Sequence, residues 1–435
     1  MSATTRPLTG AAPAPADGVA ARARGGTSER GRWDRPLTSY LLLAGSTVLL
    51  VTLGLVMVLS ASSVTSYRET RSSWSIAENQ MLWVAIGVPI MLVAARLPVQ
   101  AWRRLAWPLL VGTLGLLALV PVIGVEVYGN RNWLALGPLR VQPSELAKVA
   151  LVIWGAHVLA RKRPLAHEWG HLLVPVVPVA VLVVGLVLAG HDLGTALLLM
   201  VVVAVLMFLA GAPLRLFAVG GVAAAAVSAL AVVANPTRLV RVRTWLDPAS
   251  ADPLLAGWQP AHGLYALAGG GWWGVGLGAS RQKWGGLPEA HTDFIFAIIG
   301  EELGLAGTLT VLGLFVLFAY AGIRVALRSG DLFVRLAAGA ATMWITAQAL
   351  VNIGAVVGVL PIVGITLPLI SYGGSSLVTT LLAVGMLLSF ARAEPSAAAA
   401  LRARGPLPAR VGRAAAQAVA RITAALPGPR RPDGH

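Results

Sequence analysis

The chain has 435 residues, of which 57% are hydrophobic and only 12% charged, and it carries a net charge of +16. Soluble proteins of this size carry about 25% charged residues, so the composition excludes an ordinary soluble enzyme and indicates an all-α integral membrane protein. There is no cysteine, which excludes disulfides, thiol nucleophiles and thiolate metal sites.

Residues 1–37 are rich in Ala, Pro, Gly and Arg and predict a disordered basic tail. They hold no short apolar core with a cleavage site, so the first apolar segment is expected to stay in the protein. Ten segments are apolar enough to predict spans: 38–63, 79–95, 105–123, 144–160, 171–189, 193–211, 214–234, 294–324, 333–360 and 375–391. Together, 38–392 reads as one ten-span membrane domain. An even count places both tails on one side. Arg96, Arg103, Arg104, Arg161, Lys162, Arg163, Arg215, Arg324, Arg328 and Arg335 lie in or beside alternate connections on that side, which marks it as cytoplasmic. No nucleic-acid-binding stripe is needed to account for the charge. The other connections, 64–78, 124–143, 190–192, 235–293 and 361–374, are then extracytoplasmic. Residues 393–435 form a second basic tail, in which 411–425 predicts an amphipathic helix at the membrane surface.

The largest outer loop, 235–293, lies between spans 7 and 8. Its part 259–278 is apolar and Gly-rich, with Tyr265, Trp272 and Trp273, and Trp258 stands just before it. Aromatics of this kind favour the headgroup level, so the segment is expected to lie on or dip into the outer leaflet. Arg281, Lys283, Glu289, His291 and Asp293 then crowd into thirteen residues against the eighth span. That span would be about 46 Å long as one helix, against a core of about 30 Å. Its first turns are expected to protrude or the helix to tilt, which would keep Glu301 and Glu302 at the interface.

Asp293 reads either as a helix N-cap or as a catalytic carboxylate. Glu145 and Lys148 share a face of the fourth span and read either as a structural ion pair or as a polar site among the helices. Asp192, at the start of the sixth span, could be only a cap. Arg238, Arg241 and Arg243 suit phosphate, because a guanidinium donates two parallel hydrogen bonds. Asn352, Pro361, Pro368 and the run from Ser371 to Ser376 mark a broken turn of the sort that lines a cavity. His167-Glu168-Trp169-Gly170-His171 matches a zinc-protease pattern, but Gly170 interrupts a loop where a helix is required, and solvated histidines account for it better. No nucleotide-binding Gly loop is present.

The run Leu287-Pro-Glu-Ala-His-Thr-Asp-Phe-Ile-Phe-Ala-Ile-Ile-Gly-Glu-Glu-Leu-Gly304 resembles the signature of the FtsW/RodA (SEDS) proteins. So do Gln142-Pro-Ser-Glu-Leu-Ala-Lys148, Asp192-Leu-Gly-Thr195, Asn352-Ile-Gly with Gly358-Val-Leu-Pro361, and Leu367-Pro-Leu-Ile-Ser-Tyr-Gly-Gly-Ser-Ser376. The resemblance covers about 38–392, and Val58-Leu-Ser-Ala-Ser62 with the basic tails looks more like the division branch, FtsW, than the elongation branch, RodA. Ile362-Val363 departs from it, since the family often has a polar residue before Gly364. The resemblance implies a peptidoglycan glycosyltransferase acting on lipid II at the outer face of the cytoplasmic membrane, with Asp293 the essential carboxylate. It also implies that Glu145, Lys148 and Asp192 line a central cavity.

In that chemistry Asp293 is the expected base. Arg241, Arg243 and Lys283 are candidate pyrophosphate contacts, with Lys148 an alternative. Glu289 and His291 would orient Asp293 or shift its pKa, and Ser371 belongs to the cavity-lining turn. No cofactor is required, though a divalent cation, Mg or Mn, could share the phosphate role. Expected partners are lipid II, a class B penicillin-binding transpeptidase (FtsI-like), other membrane proteins of the division machinery and membrane lipids, but no nucleic acid. A lipid II flippase and a non-catalytic division scaffold are the competing readings.

Overall fold

The computed structural model describes residues 37–404 except 128–129, 138 and 163–168. The motif at His167–His171 therefore lies partly outside the described residues, as do most of both tails. Thirteen α-helices occur among the described residues. Ten of them overlie the ten expected spans: α1 (Thr38–Thr70), α2 (Ser75–Ala94), α3 (Val99–Ile123), α4 (Pro143–Arg161), α5 (Trp169–Ala189), α6 (Leu193–Leu209), α7 (Leu214–Val233), then α10 (Ile295–Arg328), α11 (Leu332–Val356) and α12 (Gly374–Ala393). Two shorter helices, α8 (Pro236–Leu246) and α9 (Trp258–Gly269), lie in the long loop, and α13 (Pro395–Arg404) follows α12. Seven helices among the described residues are long and apolar enough to cross a membrane by length and composition alone. The chain is a multi-pass membrane protein.

Helix α4 is the axis of the bundle. It is buried from Pro143 to Leu159 except at Leu146, enclosed by α3, α6, α11 and α5. Its sequence allows this: Ala147, Ala150, Gly155 and Ala156 let neighbours approach, and Trp154 fills the space against Trp107 of α3 at 5.6 Å between ring centroids. Helix α7 is the opposite case, with no buried residue along its length. Largely apolar and touched only along part of its length by α6 and α8, it suits a lipid-facing position.

The connection 124–143, for which the sequence gives no structure, forms a three-stranded antiparallel sheet of β1 (Val125–Val127), β2 (Asn130–Leu136) and β3 (Leu139–Val141). Trp133 pairs with Val125 and Leu134 with Val141. The sheet leads into Pro143, whose fixed φ and missing N–H suit the first turn of α4.

The expectation for the eighth span requires correction. Helix α10 is one run by hydropathy but is broken at Gly304, where φ is 67° and ψ −164°. A break inside a membrane helix frees backbone groups that must find partners. The Gly-rich stretch before α10 supplies them. Val275 and Gly276 donate to the carbonyls of Glu301 and Glu302 at 2.9 and 3.1 Å. Leu305 and Ala306 donate to the carbonyls of Gly271 and Trp272 at 2.9 and 3.2 Å. The glycines are needed for this close approach: a side chain at Gly270 would strike the Gly300 carbonyl, and one at Gly274, where φ is +80°, would strike that of Glu302.

Glu301 and Glu302, beside the break, are not left exposed there. They are buried at 4% and 0% exposure, and donors converge on them. Ser280 Oγ and the Arg281 N–H donate to Glu301, the latter at 2.9 Å. Ser60 of α1 donates to Glu302 at 2.7 Å, and Lys283 Nζ lies 3.3 Å from it. Buried carboxylates persist only when paired in this way.

Candidate active site

Asp293 lies in the turn before α10, whose N-cap is Phe294 without a side-chain cap bond. The cap reading of Asp293 therefore does not describe it. Its carboxylate lines a cleft with Phe294, Val351, Asn352, Ile362 and Gly364. The opposite wall is the irregular segment between α11 and α12. Gly364, with φ +78°, sits so close that a Cβ there would stand 3.5 Å from the Asp293 carboxylate. Glycine is the residue that permits that left-handed backbone beside the carboxylate.

The two walls are stapled together. Asn352 Nδ2 donates to the Asp293 carbonyl at 2.8 Å and to the Ile365 carbonyl at 2.7 Å. Ser371 Oγ donates to the Thr292 carbonyl at 2.6 Å and accepts from the Leu367 N–H at 2.8 Å. Tyr372 N–H donates to the His291 carbonyl at 2.9 Å. Ser371 thus serves the wall with both of its polar functions.

Asp293 keeps part of its surface open to the cleft, yet protein surrounds it closely. Desolvation, reinforced by the charge of Glu289 and opposed by Arg241, pushes its carboxyl from 3.8 up to about 7. Such a group holds its proton loosely at neutral pH, the condition in which a general base works best. Glu289 has a positive φ of 54°, and its carboxylate accepts from Thr292 Oγ1 at 2.6 Å. His291 packs beside Tyr372 at 5.6 Å. Burial lowers its pKa, against the pull of Glu289 and Glu69, so at neutral pH the imidazole is uncharged.

Helix α8 brings cations to this cleft. Asn235 caps its first turn, Arg238 Nη2 donates to the His191 carbonyl at 2.6 Å, and Trp245 Nε1 donates to Gly358 at 3.1 Å. Docked at both ends, α8 leaves Arg241 and Arg243 exposed. Arg241 is near enough to Asp293 to act on its ionisation. Lys283 differs from expectation, because its ammonium is buried and engaged by Glu302 and by the Gly278 carbonyl at 2.6 Å. That charge is spent on the splice of α10.

Of the other expected polar positions, Glu145 and Lys148 are buried inside the bundle and Asp192 is half-buried at the start of α6, and none of them lines the Asp293 cleft. Lys148 Nζ is 2.8 Å from Glu145, 3.0 Å from Gln348 Oε1 and 4.9 Å from the Trp344 ring centroid. Thr379 of α12 donates to Glu145 at 3.3 Å. Asp192 is a helix cap, accepting from the Thr195 N–H at 3.0 Å and also from Gln142 and Ser144 at 2.8 and 3.0 Å. The ion pair nonetheless reaches the cleft through its partners: Gln348 Nε2 donates to the Thr366 carbonyl at 3.1 Å, next to the Ile365 carbonyl held by Asn352.

Gln348, Trp344, Trp245 and Gly364 were not singled out from sequence. Gln348 carried a usable signal, since a polar residue inside an apolar span is expensive and marks a partner. Among the described residues there is no group of three or more His, Asp or Glu side chains placed to hold a metal ion.

A family model described as "Cell cycle protein", for FtsW, RodA and SpoVE, matches residues 40–395. A Mycobacterium tuberculosis relative named "Probable peptidoglycan glycosyltransferase FtsW" is 44% identical over 376 residues, covering 86% of this chain and 72% of that one. A solved structure described as "Structural coordination of polymerization and crosslinking by a peptidoglycan synthase complex" superimposes with a TM-score of 0.66 at 32% identity, covering 81% of this chain and 97% of the other. The rod-shape-determining protein RodA of Thermus thermophilus superimposes with a TM-score of 0.62 at 31% identity, over 82% of this chain and 97% of that one.

Proposed function

Because this chain belongs to the FtsW/RodA/SpoVE family, we propose that it is a peptidoglycan glycosyltransferase that polymerises lipid II, with Asp293 as general base. The face bearing Asp293 is the extracytoplasmic one in this reading, and both tails are cytoplasmic. The observation that carries it is the Asp293 carboxyl, held near a pKa of 7 in a cleft within electrostatic reach of Arg241.

The acceptor's 4-hydroxyl attacks the donor's anomeric carbon. A carbon–oxygen bond forms to that hydroxyl oxygen, and the bond from the anomeric carbon to pyrophosphate breaks. Asp293 takes the hydroxyl proton, which is worth about 10²–10⁴-fold in rate. Arg241 stabilises the charge that develops on the leaving pyrophosphate, while Arg243, two residues along α8, points to a different side of the helix. Glu289 raises the base's pKa, and neutral His291 adds no opposing charge. Septal wall synthesis is the setting we favour, since the M. tuberculosis relative is named FtsW. A penicillin-binding transpeptidase is the partner we favour, in keeping with the synthase complex that shares the fold.

The test is a gel assay of purified protein with labelled lipid II and its cognate transpeptidase, wild type beside Asp293→Asn. Long strands from wild type and none from the variant are expected. Strands from both would remove Asp293 from the chemistry. Strands from neither, with the complex intact, would turn attention to translocation of lipid II.

A further inference from the structure

The splice of α10 fixes a pair of aromatic side chains at a definite depth. The carbonyl of Trp272 accepts from Ala306, and that of Gly271 from Leu305. The turn carrying Trp272 and Trp273 is therefore level with the start of the second part of α10. From Leu305 to Arg324 that helix rises about 29 Å, against a hydrocarbon core of about 30 Å. With Arg324 and Arg328 at the far interface, the turn falls at the near one, on the face that bears Asp293.

Among the described residues, nothing covers it. Trp272 is 72% exposed and Trp273 84% exposed, while the Trp272 carbonyl is engaged in the splice. Tyr265 and Leu277 beside them in sequence are also exposed. Indole rings, apolar with one N–H, prefer the boundary between headgroups and acyl chains.

We propose that the Trp272–Trp273 turn is a bilayer anchor: both indoles insert at the headgroup–acyl boundary of the leaflet on the Asp293 face and hold the break in α10 at that depth. A lipid surface is the occupant because the helix length sets the turn at the hydrocarbon edge, where a water-exposed tryptophan pair would have no counterpart. The anchor also sets the height of Asp293, eleven residues before the break on the same helix entry.

The absence of native cysteine makes a direct test simple. Trp273→Cys and, separately, Trp272→Cys are labelled with an environment-sensitive fluorophore and reconstituted in phosphatidylcholine vesicles. Ser250→Cys, exposed in the same long loop, is the aqueous reference. Lipids brominated near the headgroup, at mid-chain and near the chain end serve as depth quenchers. Blue-shifted emission at both tryptophan positions, quenched most by the shallow bromines and far more than at position 250, is expected. Emission and quenching equal to the reference would overturn the proposal. So would quenching strongest at the chain end, or blue-shifted emission that no lipid bromine reaches, which would mean protein covers the turn. No turnover is measured, so the outcome is independent of the transferase reading.

Discussion

Replacing Asp293 by Asn should remove catalysis and stabilise the protein, with the second effect depending on pH. The carboxyl is raised from 3.8 to about 7 chiefly by burial, so its ionised form is disfavoured in the folded state by about 4 kcal/mol relative to the unfolded chain. Below the unfolded value both states hold the proton and no penalty exists. As pH rises from there, the unfolded chain releases its proton while the folded one keeps it, and stability falls until pH passes about 7. Beyond that the loss is constant. Asparagine has the same shape and no proton to lose. Thermal unfolding in detergent micelles should therefore show Asp293→Asn more stable than wild type at pH 8, with the difference vanishing at pH 4. Wild-type polymerisation should meanwhile climb through neutrality, with only about a tenth of the full rate at pH 6. An equal stability difference at both pH values would refute the claim that a strained, desolvated carboxylate sits in this cleft.

Glu289→Gln removes a charge that raises the Asp293 pKa, so the acid limb of the rate profile should move to lower pH. A profile that stays in place would disconnect the two groups. Lys148→Met leaves Glu145 buried without its counter-ion and should lower stability by about 3–5 kcal/mol; adding Glu145→Gln should restore much of that, read as a double-mutant cycle in detergent unfolding. Gly274→Ala, which drives a Cβ into the Glu302 carbonyl at a left-handed φ, should lower the unfolding midpoint well beyond Gly276→Ala, whose φ is also positive but whose Cβ would meet open space. Equal effects would mean that backbone conformation alone, and not the tight splice, makes glycine necessary.

The apolar helices were legible because apolar runs of this length have few alternatives, and Asp293 was legible because polar residues crowd there against an apolar helix. The break at Gly304 was not, since hydropathy runs through it unchanged and the groups that mend it, Gly271 to Gly276, lie some thirty residues away. The burial of Glu301 and Glu302 escaped for the same reason: Ser60 stands 242 residues from Glu302 in sequence. Lys283 read as a free cation because its neighbours in sequence are polar, whereas its partners come from the broken helix. The sheet at 125–141 was missed because strands of three and seven residues leave too short a pattern to separate from a loop. The cleft itself depends on Asn352 and Gly364, and only folding brings them to Asp293.

The enclosure of α4 has a consequence for how the chain is made. As α4 leaves the ribosome it carries Glu145 and Lys148 near its leading end, and Gln348, which completes the cation's coordination, is 200 residues from Lys148. Until α11 and α12 are synthesised, water is the only other partner for that pair, and hydrocarbon offers none. That end of the helix is therefore expected to stay in reach of water while more than half of the membrane domain is still being translated. The central pillar of the bundle is then among the last pieces to settle, and a chain cut short after α10 would leave it without a seat.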